Sequence, residues 1–251
     1  NKTRYALERC IEEMYKGENY GLYKYGYIED LEQINAQNLY EYYKNMISKC
    51  KIDIFVSGEI NEDTLNMIEE NKNIKQLEDR NSPIILDIEK KEKIQEKEII
   101  EEMDVTQGKV VIGLDFNLND ENQKYDVLLY NAILGGTASS KMFQEVREKA
   151  SLAYTASSSY IRYKSNIFIR CGIEIKNYDK AIKIIKKQLI DMQNGNFTDD
   201  DIQNAKKSII SSIKCIDDEQ DTEIMYCFGQ EFSKMKLSIE EYIKKIQNIS
   251  R

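Results

Sequence analysis

The sequence predicts an α+β fold: one antiparallel or mixed sheet with its helices packed on one face. Two observations predict it. Residues 166–176 alternate, with Ile167, Ile169, Cys171, Ile173 and Ile175 on one side and Phe168, Arg170, Gly172 and Glu174 on the other. That is the two-residue period of a strand. Directly behind it Tyr178, Ala181, Ile182, Ile185, Leu189 and Met192 recur at three-to-four-residue spacing, the stripe of a long helix with one apolar face. Alternating strands followed by two-faced helices layer as sheet on helix.

The elements follow in order. Residues 2–16 read as a helix entered part-way, ended by the glycines at 17, 21 and 26. Asn35 can cap a second helix, with Ile34 and Leu39 placed as a hydrophobic staple and Leu39, Tyr42, Tyr43 and Met46 in one stripe. KIDIFVSG (51–58) reads as a strand, and Asn61 opens a helix to about Glu70. The charged run 71–98 holds the only proline, Pro83, and reads as a connection with an extended piece at 84–88 and a charged edge strand from about 96; a solvated helix over 89–98 is the alternative. Val110, Ile112, Leu114 and Phe116 then share one strand face. A helix carrying Tyr125, Leu128, Leu129, Ala132 and Ile133 stops at Gly135-Gly136, and another displays Met142, Phe143 and Val146. Strands at 152–162 and 166–176 come next. After the long helix, Asn194-Gly195-Asn196 is a turn, and Thr198 with Asp201 forms a capping box for a helix over 199–215. Residues 219–249 are helical with a break near Lys236–Leu237.

The two ends echo each other. A helix leads to Tyr25-Gly26 and then to one containing EYYK (41–44); late in the chain a helix leads to Phe228-Gly229 and then to one containing EYIK (241–244). The offsets, 203 and 200 residues, imply a repeating unit of about 200 residues. The expected organisation is residues 1–73 as the C-terminal part of a first domain, 74–95 as a linker, and 96–251 as a second domain lacking its last strand.

Composition narrows the function classes. The 251 residues carry 36 basic and 44 acidic side chains, net −8, with no long basic block. Nucleic acid and anionic membrane are therefore poor partners. No run of 18 apolar residues offers a membrane span. Five widely spaced cysteines, none in a CxxC pair, read as free thiols of a cytoplasmic protein.

Most candidate chemistry falls away on inspection. Gly135-Gly136 follows a helix and lacks a P-loop lysine, so it reads as a tight turn rather than a phosphate cradle. Ser139 and Ser140 have no histidine base; Ser139 reads as a helix cap. Glu101-Glu102, Asp199–Asp201 and Asp217-Asp218 read as solvated helix starts rather than catalytic acid pairs. Arg147 can fork hydrogen bonds to a carbonyl or oxyanion, or simply sit at a helix C-terminus beside Glu145 or Glu148. Tyr154 can offer a hydroxyl to a ligand, or pack as one of 17 tyrosines.

LGGTASSKMFQEVREKASLAYTASS (134–158) resembles the segment of insulinase/pitrilysin-type zinc peptidases, and of their mitochondrial processing peptidase relatives, that reads roughly LGGGxSSRLFxxVREKxGLAYxxxS. The matching residues are Leu134, Gly135, Gly136, Ser139, Ser140, Phe143, Val146, Arg147, Glu148, Lys149, Leu152, Ala153, Tyr154 and Ser158. Residues 23–60 resemble the closing part of a first domain in that superfamily. The resemblance implies tandem peptidase-like domains around a chamber, with zinc held by an HxxEH motif in one half and substrate backbone held by an arginine and a tyrosine in the other. Arg147 and Tyr154 fall on those two positions. The chain has no histidine, so it cannot build the usual His2Glu zinc site. The resemblance thus implies a non-catalytic half or subunit that positions a peptide substrate. Zinc is expected in a catalytic insulinase-like subunit, in a homodimer partner or in a preceding part of the protein, and none in this chain. A structural or assembly role, and an active metallopeptidase whose HxxEH lies upstream of residue 1, are the alternatives.

Overall fold

A computed structural model of the chain describes residues 1–76, 96–118, 120–233 and 235–250. Its helices are α1 (Lys2–Met14), α2 (Ile28–Leu31), α3 (Ala36–Lys49), α4 (Glu62–Glu69), α5 (Lys72–Lys75), α6 (Gln123–Asn131), α7 (Tyr178–Gln193), α8 (Asp199–Lys214), α9 (Gln220–Ser233) and α10 (Ile239–Asn248). Its strands are β1 (Gly108–Asp115), β2 (Ala153–Ile161) and β3 (Asn166–Ile173). Wide π-helical turns cover Ala132–Gly136 and Phe143–Lys149. The chain divides into a sheet unit, Asn1–Gly21 with Lys91–Cys215 and Lys236–Arg251, and a helical unit, Leu22–Lys90 with Ile216–Met235.

In the sheet unit β3 is central, antiparallel to β1 on one side and β2 on the other. The register sets Val110, Ile112 and Leu114 opposite Cys171, Ile169 and Ile167, and from the other side Ala156, Ser158 and Tyr160 face the same three. This face packs on α7, α8 and the π-helical turns, where Leu134, Met142, Val146 and Ile185 are fully buried. Each such side chain contributes about 1.5–3 kcal/mol by leaving water. The α+β class and the antiparallel sheet are as the sequence predicts, with this main helical layer on one face.

The opposite face has its own cover. Both rows of β3 are buried, not one, because α1 lies across Phe168 and Gly113. A Cβ on Gly113 would sit 1.9 Å from the Met14 sulfur, so the glycine makes room for the helix. Tyr15, following α1, donates to Asp115 Oδ1 at 3.1 Å and accepts from Asn166 Nδ2 at 2.6 Å. These contacts bind α1, which the sequence groups with residues 1–73, to the sheet that follows in the chain.

Several local expectations hold in detail. Asn35 caps α3 and Thr198 caps α8, each in a reciprocal capping box; Asn61 caps α4. Gly195 takes a left-handed φ of 70° in its turn. The helical C-terminal stretch breaks between α9 and α10, as expected. α10 returns to α8 and α6, burying Ile246 completely. There the Lys206 ammonium reaches the carbonyls that end α10, 2.8 Å from that of Gln247.

Other expectations are corrected. Residues 51–58 make no ladder, although their side chains still alternate: Phe55 meets Phe228, Ser57 bonds Glu223 and Lys51 reaches Glu231, while Ile52, Ile54 and Val56 are exposed. No described strand lies beside this segment to pair with it. The segment from 96 is likewise not a strand. Its charges are taken up by helices, Glu101 by Tyr5 and Arg9 of α1, Lys97 by Glu13, and Glu98 by Tyr178 of α7. The strand beginning at 108 stops at Asp115, though Phe116 still packs on the core. Ser139 caps nothing; its hydroxyl meets that of Thr137 at 3.2 Å. The echo holds for the helices containing EYYK and EYIK but not for the glycines, since Gly26 sits in a turn at φ 77° and Gly229 lies inside α9. The extended piece at 84–88 lies outside the described residues, as do most of the linker and of the alternative helix.

Candidate functional site

The stretch singled out by sequence joins the second π-helical turn to β2. The π geometry is visible in the Ala150 N–H, which donates to the Glu145 carbonyl five residues back at 3.3 Å; beyond the turn, the Leu152 N–H reaches the Val146 carbonyl six residues back at 3.1 Å and closes the end. Wide turns of this kind are frequent at functional sites. Ser151 then takes a left-handed φ of 52°, unusual for a residue with a Cβ, and the chain enters β2. Close packing holds this region in place. A Cβ on Gly135 would lie 2.6 Å from the Ser158 nitrogen of β2, and Ser158 donates to Asn131 Oδ1 at 2.7 Å.

Arg147 is partly exposed on the π-helical turn. Its guanidinium stacks over Phe143, 4.6 Å from the ring centre, and its Nε is 3.7 Å from Glu148. Of the two bland partners the sequence offers, Glu148 is the one it meets. Such a stacked guanidinium keeps its outward N–H groups for a ligand.

Tyr154 occupies a β-bulge. Ala153 pairs with Ile173 and Thr155 with Gly172, so Tyr154 is the extra residue, opposite nothing. A bulge bends the strand and re-aims the side chain it carries; here Tyr154 is 61% exposed. It lines an open depression of about 390 Å³ with Thr106, Gln107, Glu174, Ile175 and Lys176, at the end of the sheet where β1 and β2 begin and β3 finishes. Glu174 and Lys176 pair at 2.9 Å, and that bond, helped by the nearby Tyr154, holds the Lys176 ammonium above its ordinary range. The depression therefore offers a phenol, an ion pair and an apolar wall.

Arg147 and Tyr154 are thus displayed by one short stretch, but Arg147 does not line the depression, and no bond among the described residues joins the two. Sequence reasoning missed the Glu174–Lys176 pair. The available signal was the alternation of 166–176, which puts Glu174 on the row opposite the main core. Among the described residues no cluster of three His, Cys, Asp or Glu side chains could hold a metal. The residues do not fit zinc.

A family model described as "Peptidase M16 inactive domain" matches residues 33–209. This chain belongs to the M16 peptidase family. The M16 chain is 34% identical over 252 residues to the "Probable inactive metalloprotease YmfF" of Bacillus subtilis (strain 168), a match covering all of this chain and 59% of that protein. It is 22% identical over 215 residues to the "Uncharacterized zinc protease YmxG" of the same strain, covering 83% of this chain and 51% of that protein. Its fold is similar to that of a conserved protein from Enterococcus faecalis V583, with a TM-score of 0.78 at 23% identity, over 100% of this chain and 59% of that one. The chain therefore spans about half to three-fifths of its relatives' length. It is a non-catalytic M16 domain, of the insulinase/pitrilysin-like kind that the sequence resemblance implies. No described helix is long and apolar enough to cross a membrane.

Proposed function

We propose that this chain is the peptide-positioning part of an M16 peptidase whose metal is carried elsewhere, in a catalytic M16 subunit or in another part of the full protein. The observation that carries the reading is Tyr154 on its bulge, exposed at the mouth of a depression and displayed by the same stretch as the outward, ring-stacked Arg147. Both are hydrogen-bond donors suited to backbone carbonyls, which every peptide presents whatever its side chains. The Glu174–Lys176 pair beside Tyr154 can meet either charge on a substrate side chain. A metal-bearing partner supplies the activated water; this chain orients the peptide and excludes misaligned poses. Relatives named as an inactive metalloprotease and as a zinc protease in one Bacillus strain support a division of labour between two M16 chains. Five free cysteines support a cytoplasmic setting.

The test reconstitutes the full-length protein with a metal-bearing M16 chain from the same organism and measures cleavage of a peptide library. Arg147→Ala and Tyr154→Phe are each expected to lower kcat/KM at least 10-fold, leaving complex formation and zinc content unchanged. Undiminished cleavage by both variants defeats the proposal. Full cleavage without any partner, together with stoichiometric zinc in the full-length protein alone, assigns the metal to another part of that protein, and the two variants are then read in it alone.

A further inference from the structure

The sheet face on which α1 lies is not apolar throughout. Its rows run across the three strands as Gly113, Phe168 and Ser159, then Val111, Arg170 and Ser157, then Lys109, Gly172 and Thr155. α1 lies over Gly113 and Phe168 in the first row. The other two rows carry two cations and two hydroxyls. Arg170 and Gly172 are two residues apart on β3, about 7 Å, so Lys109 and Arg170 stand on neighbouring rows. Thr155 is exposed, and Lys109, Ser157 and Arg170 are partly so; solvent reaches this corner of the sheet.

In a chain with 44 acidic side chains against 36 basic ones, no carboxylate among the described residues pairs with either cation. Lys109 folds its ammonium over Gly172, where a Cβ would sit 3.2 Å from it, and donates to the neutral Gln107 amide oxygen at 3.0 Å. The Nε of Arg170 is buried without a hydrogen-bond partner. Such an atom costs free energy, and native proteins keep few of them. An anion that draws this flexible side chain outward supplies the missing bond. Glu174, two residues beyond Gly172 on the same side, is already paired with Lys176 at 2.9 Å. Thr155 Oγ1 accepts the Gly172 N–H at 3.2 Å and keeps its own proton to donate. Ser157 stands directly opposite Arg170. A guanidinium fork, an ammonium and two hydroxyl donors on one patch are the groups that hold a carboxylate. The patch adjoins the Tyr154 depression, since Gln107 lines that depression and Thr155 directly follows Tyr154.

We infer that Lys109 and Arg170, with Thr155 and Ser157, form a subsite for a carboxylate of the peptide held at Tyr154, so that the preferred substrates are acidic. The inference names the charge of the ligand within the peptide-positioning reading, and rests on that reading for the ligand being a peptide.

Peptide binding to the full-length protein, read by fluorescence anisotropy, tests it. The probes are short labelled peptides of alanine and serine, capped at both ends, with one glutamate placed at each position in turn, and their glutamine counterparts. At least one glutamate peptide is expected to bind about 10-fold tighter than its counterpart, a preference that shrinks as salt rises from about 50 to 500 mM. Arg170→Gln and Lys109→Gln should each bring the ratio close to 1, with thermal unfolding checking that both variants fold. A glutamine peptide with a free C-terminus separates the two sources of a carboxylate: a gain for it alone makes the subsite one for chain ends rather than acidic side chains. Equal binding, or equal failure to bind, by every acidic and neutral peptide overturns the inference, as does a preference that survives both substitutions. Equal binding that falls in Tyr154→Phe removes this subsite and leaves the positioning reading standing. A glutamate preference lost in Arg170→Gln but indifferent to Arg147→Ala and Tyr154→Phe upholds the carboxylate site and counts against that reading.

Discussion

At the level of single residues, burial separates side chains that the sequence cannot tell apart. The five cysteines look alike in the chain, yet burial pushes the Cys171 thiol up to about 12 and the Cys10 thiol up to about 11, while Cys50, Cys215 and Cys227 are exposed. Since the thiolate is the reactive form, alkylation of the native protein at pH 8 should label those three quickly and leave Cys10 and Cys171 largely unmodified; peptide mapping would reveal the opposite pattern. Two glycines make a second contrast. An alanine at 135 meets the backbone nitrogen of Ser158, which cannot step aside, so Gly135→Ala should cost about 1–3 kcal/mol or more. An alanine at 113 meets chiefly the movable Met14 side chain and should cost less. Denaturant titration of both variants compares them. Arg147 and Tyr154 were legible as a motif because their neighbours lie close in sequence. The bulge that presents Tyr154 was not, because a bulge is defined by what the partner strand fails to pair with.

Individual elements were readable where their determinants are local. The Asn35 cap of α3 and the capping box of α8 need only residues three apart, and both were correctly placed; that Asn38 completes a box at α3 as well is a finding of the structure. Strand pairing depends on distant chain, so 51–58 could be given the right alternation but not a partner. At α8, burial works to raise the Asp201 carboxyl, but the Thr198 backbone N–H and the Lys141 ammonium at 2.9 Å outweigh it and hold the group below its ordinary range. A lowered carboxyl stabilises the fold above its unfolded pKa, near 4, and loses that contribution as pH falls through the folded value. The stability gap between the parent and Asp201→Asn, read as Tm, should therefore shrink on acidification from pH 6 to 3. A constant gap would assign the effect to something other than charge. Lys206 ends α10 by donating to its last carbonyls, a contact that no periodicity announces. Lys206→Met should cost about 1–3 kcal/mol, with exchange accelerated first in residues 239–249.

Across the whole chain, the fold class and the antiparallel sheet were legible because patterning repeats over many residues. The docking of α1 on the second face of the sheet was not. It depends on a space above Gly113 and on one phenol, Tyr15, shared between Asp115 and the fully buried Asn166. Tyr15→Phe leaves the packing in place and removes both bonds, for an expected loss of about 1–3 kcal/mol in the sheet unit; an unchanged unfolding midpoint would count against this anchoring role. The spans of those bonds, 100 and 151 residues, bear on biosynthesis. At a translation rate of about 5–20 residues per second, Tyr15 is synthesised roughly 8–30 s before Asn166 is added. Until β3 is made, α1 has only β1 as part of its native seat, so nascent-chain holding factors should stay on α1 until that central strand emerges.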